Sequence, residues 1–129
     1  GGGLVSTAAD YWRFAQMLLN GGTLDGVRLL GPQTVAIMTR NHLRPDMLPF
    51  GGREAAGAGF GLGFEVILDP ALARCLGSAG CYSWSGLAGT HFWVDPQEGL
   101  VALIMPQVLA CPYPLGPLFR TLVYQALDC

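Results

Sequence analysis

Residues 90 to 106 constrain the fold of this chain more than any other stretch. Thr90 to Val94 and Leu100 to Pro106 are strand-like runs. Between them stands Asp95-Pro96-Gln97-Glu98-Gly99. Two such runs around a turn-forming pentapeptide make a β-hairpin with a five-residue loop. Leu100 to Met105 is apolar on both faces, which suits a central strand.

Helices are expected on either side of the strand-rich part. Thr7 is a candidate N-cap with Asp10 three residues on, a near capping box. Tyr11, Phe14, Ala15 and Leu18 then share one helical face, and Asn20-Gly21-Gly22 supplies a left-handed stop. A polar turn at Asp25-Gly26 precedes Val27 to Leu30. Gly31-Pro32 opens a shorter helix through about Thr39, because proline suits the first helical position. Residues 42 to 58, with Pro45, Pro49, Gly51, Gly52 and Gly57, read as a long loop. From Gly59 the period changes to two: Phe60, Leu62, Phe64 and Val66 alternate with Gly61, Gly63 and Glu65, which predicts one strand. Its glycines leave one face bare for another backbone or a substrate. Asp69-Pro70 breaks that strand. Pro114 and Pro117 introduce a C-terminal helix whose stripe is Leu115, Leu118, Phe119, Leu122, Val123 and Ala126. Helices segregated from a run of antiparallel strands make this an α+β chain, a single domain over residues 1–129 with helices on one face of the sheet.

Composition narrows the chemistry. Hydrophobic residues are 51% and charged ones 12%, with a mean hydropathy of +0.40, so the chain has ample apolar area for a core. The net charge is −2, which excludes a basic nucleic-acid footprint. All seven basic residues are arginine. Without lysine, a lysine base, a Schiff base or a P-loop cannot come from this chain. The apolar runs reach about six residues, against roughly 18 for a membrane-spanning helix. No signal peptide is visible, and the chain opens on glycine rather than methionine, as expected of a processed form or a piece of something longer. Cys75, Cys81, Cys111 and Cys129 form no Cys-x-x-Cys pair, and His42 and His91 stand apart, so no metal site is expected. The thiols are either free and buried or, for Cys75 and Cys81, joined in a disulfide.

Several familiar sites are absent. The glycines at 57, 59, 61 and 63 do not make Gly-x-Gly-x-x-Gly. There is no Gly-x-Ser-x-Gly nucleophile elbow and no His-Glu-x-x-His.

Gly1-Gly2-Gly3-Leu4-Val5-Ser6-Thr7-Ala8-Ala9-Asp10, then Phe14 to Gly22, resembles the serine β-lactamase-related hydrolases. That group holds class C β-lactamases, D-alanyl-D-alanine carboxypeptidases and family VIII carboxylesterases. Leu29 to Val35, Gly59 to Phe64 and Gly89-Thr90-His91-Phe92-Trp93-Val94-Asp95-Pro96 are similar to it in the same order. The resemblance covers nearly all of this chain and the C-terminal third or so of a full member. It implies the C-terminal part of the β-lactamase/transpeptidase-like fold, acyl transfer, a Ser-x-x-Lys nucleophile, a Tyr-x-Asn element and a Lys-Thr-Gly strand. Ser-x-x-Lys and Tyr-x-Asn are both missing here, and in a complete member they lie upstream of Gly1. The place of Lys-Thr-Gly is held by Trp84-Ser85-Gly86, similar to the tryptophan-containing variant of the carboxylesterase branch.

The chemistry gives such a strand a purpose. A tetrahedral intermediate develops an oxyanion, and fixed backbone N–H groups stabilise it. Leu87 would supply that N–H and Gly86 the close approach, Ser85 would bond substrate as the family's threonine does, and Tyr82 and Trp84 would contact it. Gly77, Gly80 and Gly86 around the segment point to an edge strand. Read as residues alone, Tyr82 and Trp84 are equally well plain strand aromatics. The chain is therefore expected to be inactive alone. It is read as part of an ester-preferring serine hydrolase acting on a small-molecule acyl substrate, or as a non-catalytic binding or assembly module. No cofactor or metal is called for. Its partners would be the missing N-terminal part, or another copy through an exposed strand edge.

Overall fold

The computed structural model describes residues 4–49 and 56–127. The first three glycines, Gly51, Gly52 and Cys129 lie outside the described residues.

Helix α1 spans Ala8–Leu19, capped by Thr7, whose Oγ1 accepts from the Asp10 N–H at 3.1 Å. The chain leaves it through Gly21 at φ +67° and Gly22 at φ +96°. A Cβ on Gly22 would lie 2.2 Å from the Leu30 carbonyl oxygen, so this exit admits only glycine. Strands β1 (Thr23–Leu24) and β2 (Val27–Arg28) make a small hairpin around Asp25-Gly26, and helix α2 runs Pro32–Met38.

Five strands then form one antiparallel sheet: β3 (Ala58–Phe60), β4 (Glu65–Ile67), β5 (Tyr82–Ser85), β6 (His91–Asp95) and β7 (Leu100–Ile104). Their spatial order equals their chain order, a meander. The single strand expected over 59–66 is instead a hairpin. Gly61 to Phe64 turns, with Gly63 at φ +97° and the Gly61 N–H bonded to the Phe64 carbonyl at 2.7 Å. Alternating glycines that suggested a bare strand face provide the turn. Asp69-Pro70 does end a strand, but it also starts helix α3 (Pro70–Ala73): Asp69 caps it and proline takes its first turn.

Helix α4 (Leu115–Gln125) closes the chain. The helices cover both faces of the sheet, not one. Against α1, the core holds Ala15, Met17, Leu18, Phe64, Val66, Tyr82, Phe92 and Val94. Against α4, it holds Ala58, Ile67, Cys81, Trp93 and Ala102, with Phe119, Val123 and Tyr124 packed on them. This follows from β6, whose alternating Phe92 and Trp93 are both large and both buried. Such a strand needs an apolar layer on each side.

The α4 side also encloses polar groups: Asp95 and Arg120 are provided with partners, while the buried Trp93 Nε1–H has none among the described residues. Asp95, fully buried, accepts from the Ser78 and Gln97 N–H groups and, at 2.7 Å, from the Tyr124 hydroxyl. Arg120 donates to the Leu76 carbonyl at 2.7 Å and to Cys81 Sγ at 2.9 Å, and its guanidinium lies 5.1 Å from the Trp93 ring centroid. Burial pushes the Cys81 thiol up to about 11 despite that arginine. Cys75, Cys81 and Cys111 are free thiols, which resolves the disulfide alternative.

Candidate active-site strand

Strand β5 does not lie at the edge of the sheet. It is the middle strand, between β4 and β6, because the hairpin at Gly61–Phe64 adds two strands outside it. Its two ends differ, however. β4 pairs only Glu65 with Ser83 and Val66 with Tyr82. β6 continues past them, pairing Trp84 with Phe92 and Ser85 with His91. Trp84 and Ser85 therefore have a strand on one side only.

The direction of their backbone groups follows from the ladder. The Gly86 N–H donates to the Thr90 carbonyl at 2.8 Å, so 86 and 90 form a hydrogen-bonded pair. Such pairs alternate along an antiparallel ladder. Trp84 then bonds toward β6, while the Ser85 N–H and C=O point the other way, past the end of β4. On the β4 side the Ile67 N–H donates to the Cys81 carbonyl at 2.8 Å, in phase with that assignment. A substrate amide or ester lying along the free side of Ser85 would meet a donor and an acceptor from one residue.

Beyond Ser85 the chain turns. Gly86–Gly89 closes through a Gly89 N–H to Gly86 carbonyl bond at 3.0 Å, and Gly89 takes φ +82°. Leu87 thus sits on the hairpin turn, one residue past Gly86, with its side chain 84% exposed. Its N–H has no acceptor among the described residues. Gly86 is tight: a Cβ there would lie 2.4 Å from Thr90 Oγ1.

The expected site residues separate into two groups. Trp84, Ser85, Gly86 and Leu87 cluster at the free end of β5. Trp84 is 41% exposed and stands edge-on to Phe60, with ring centroids 5.2 Å apart. Tyr82 does not join them. It is 2% exposed under α1 against Phe64, and burial raises its hydroxyl well above the ordinary phenol range. The expectation of a substrate contact there is corrected by its place on the doubly paired half of the strand, where an aromatic fills the core.

Two depressions flank the strand end. One, about 150 Å³, is lined by Tyr11, Trp84, Ser85, Gly86, Thr90, Phe92, Leu103, Ile104 and Met105, together with His91. The other, about 560 Å³, lies toward α3 and α4 and includes Glu65, Ser83, Ser85, His91 and Arg120. His91 borders both, as the cross-strand partner of Ser85. Sequence reading missed it as a site neighbour; the signal was its place at the start of the hairpin strand. Among the described residues no group of three or more His, Cys, Asp or Glu is placed to hold a metal ion. No helix among them is long and apolar enough to cross a membrane.

Residues 1–110 match the family model described as Beta-lactamase. The chain belongs to the beta-lactamase family. Within this family it is 43% identical over 118 residues to Protein Rv1367c of Mycobacterium tuberculosis (strain ATCC 25618 / H37Rv), covering 87% of this chain and 29% of that protein. A second relative, Uncharacterized protein MT1414 of Mycobacterium tuberculosis (strain CDC 1551 / Oshkosh), matches with the same identity and coverage. The chain thus spans less than a third of the curated relatives it matches. Among solved structures it is similar to EstCE1, a hydrolase with promiscuous acyltransferase activity, with TM-score 0.66 and 26% identity over 80% of this chain and 25% of that one. The unliganded simvastatin synthase LovD from Aspergillus terreus shares the fold, with TM-score 0.69 and 22% identity over 92% of this chain and 33% of that one. The α+β architecture read from the sequence is therefore that of the beta-lactamase family.

Proposed function

We propose that this chain supplies the substrate-binding strand of a serine hydrolase that transfers acyl groups, with esters preferred over β-lactams. The observation that carries the reading is the half-paired end of β5, where Ser85 offers backbone N–H and C=O to an incoming chain. The kinship with a hydrolase of promiscuous acyltransferase activity supports it. Trp84 at the position of the strand's lysine supports the ester preference.

The roles are those the resemblance implies. The substrate lies along the free side of Ser85, with Gly86 permitting close approach. The Leu87 N–H donates to the carbonyl oxygen as it becomes an oxyanion. Trp84 walls the cleft. The nucleophilic serine and its lysine belong to a part of the parent protein outside this chain. The serine oxygen bonds the acyl carbon, the C–O bond to the alcohol breaks, and the alcohol leaves with a proton. Water then cleaves the acyl-enzyme, releasing the acid and restoring the serine hydroxyl. The open outer edge of β7 takes a strand from the same missing part, or from a second copy in its absence.

The complete parent protein is expected to hydrolyse p-nitrophenyl butyrate, and faster than nitrocefin. The chain of residues 1–129 alone is expected to turn over neither above a mock-purified control, lacking both nucleophile and base. A parent protein that folds but hydrolyses no ester would overturn the enzymatic reading in favour of a binding or assembly module.

A further inference from the structure

The larger depression, toward α3 and α4, holds a positive charge with no counter-charge beside it. Arg120 lines this space of about 560 Å³ and is only 7% exposed. Its Nε donates to the Leu76 carbonyl at 2.7 Å, and Nη2 donates to Cys81 Sγ at 2.9 Å. Nη1 has no acceptor among the described residues, and Arg120 forms no ion pair with any of them. Asp95 is held by Ser78, Gln97 and Tyr124, and Glu65, on the same lining, is engaged elsewhere. The groups that bear on the guanidinium electrostatically are Cys81, Cys75 and Tyr124. Burial keeps all three protonated, and so neutral, at pH 7. A guanidinium stays charged wherever it is placed, and burying it is strongly disfavoured unless an anion meets it.

We propose that this depression is a carboxylate site whose occupant is an acidic side chain, carried by the part of the parent protein outside residues 1–129. The inference goes beyond the hydrolase reading and does not rest on it. Charge sets the chemical class: the two protons of Nη1 are free to grip a carboxylate. Size and lining set the source. The depression is far larger than one carboxylate, and Ile67, Pro70, Ala71, Leu76 and Pro117 give it apolar walls. Leu76 is 47% exposed there. Such walls suit the apolar neighbours of an acid on a folded segment better than a free ion. A parent of the relatives' length has segments to spare, since this match covers 29% of the relative.

The test is a double-mutant cycle on the complete protein, read by urea unfolding. Each Asp or Glu outside residues 1–129 is changed to its amide, alone and together with Arg120→Met. Arg120→Met and one of the amide variants should each lower the folding equilibrium constant at least about hundredfold. The two together should cost little more than either alone. A second arm keeps Arg120, in case its variant does not fold. With the same acid truncated to Ala, sodium acetate should restore the urea midpoint where equal sodium chloride does not. If no acid outside this chain is rescued by acetate, or none of the folded pairs is coupled, the proposal is overturned. A midpoint of the unmutated protein that rises with acetate would also overturn it, since the site would then be open to free carboxylates. None of these readouts involves ester hydrolysis, so the hydrolase reading stands or falls separately.

Discussion

The two halves of β5 have similar sequences and opposite surroundings. Tyr82-Ser83 and Trp84-Ser85 are each an aromatic followed by a serine. The first pair is paired on both sides and buried, with Tyr82 2% and Ser83 4% exposed. The second has a strand on one side only, and Trp84 is 41% exposed. The difference is made elsewhere, by the turn that stops β4 at Glu65. One aromatic becomes core and the other cleft wall because the neighbouring strand ends between them. A binding edge inside a sheet is built by shortening a neighbour, without placing the strand at the rim.

The largest effect that sharpens this contrast comes from truncating each aromatic. Tyr82→Ala should cost about 3–5 kcal/mol of stability, as for other large buried aromatics, and leave little folded protein. Trp84→Ala should cost much less stability, yet lower kcat/KM of the complete protein on p-nitrophenyl butyrate at least about tenfold. Urea denaturation and steady-state kinetics on the same preparations separate the two. Equal stability losses would erase the distinction between the halves.

A second contrast is in pH. Cys81, just before the buried half, has its thiol pushed up to about 11 by burial, against an ordinary 9.0. A raised pKa means that the folded chain holds the proton when the unfolded chain has lost it. The associated stability is complete below about pH 9 and is lost as pH rises toward 11, roughly 3 kcal/mol in all at about 1.4 kcal/mol per unit. Tyr82 and Tyr124, also raised, extend the loss beyond pH 10. Urea midpoints should therefore fall from pH 9 upward, and Cys81→Ala should remove most of the fall below pH 10. An unchanged slope in that variant would place the titrating group elsewhere.

The smallest effect concerns Gly86, where approach of substrate and crowding by Thr90 compete as reasons for glycine. Gly86→Ala should lower kcat/KM about tenfold, equivalent to about 1.4 kcal/mol of transition-state stabilisation. Thr90→Ala relieves the 2.4 Å clash that a Cβ would meet. If Gly86→Ala/Thr90→Ala regains stability but not activity, the glycine is required by the substrate. Recovery of both would assign it to the turn alone.

Much of this arrangement was legible from residue order. The Thr7 cap, the proline opening of α2, the hairpin around residues 95–99 and the stripe of α4 all depend on contacts within a few residues, and all are present. The failures depended on distance in sequence. Gly61 and Gly63 fit a bare strand and a turn equally well, and only pairing with β4 decides between them. The glycines at 77, 80 and 86 pointed to an edge position for β5, but β3 and β4 lie outside it. Helices on both faces follow from Phe92 and Trp93, adjacent aromatics on a strand that each need cover. Tyr82 was assigned to the cleft because a strand pattern gives the face of a side chain and not where its neighbour stops. The Asp69-Pro70 pair was read for the strand it ends, although aspartate before proline is also a helix start.

The meander has a consequence for how the chain becomes ordered. Every sheet contact joins strands adjacent in sequence, and β6 and β7 are separated by four residues. Helix α1 is the exception, since it docks on β6 and β7 from the far end of the chain, about eighty residues away. Loop-closure entropy grows as three-halves of RT times the logarithm of length, so that docking costs about 2.7 kcal/mol more than closing the β6–β7 turn. Local pairings govern fast folding and distant ones slow it. The sheet can therefore register itself strand by strand before its α1 face is covered, and until then Phe64, Tyr82, Phe92 and Val94 stand bare on an otherwise formed surface. Synthesis from the N-terminus makes α1 first, so the helix that must arrive last waits, already made, for the strands that will receive it.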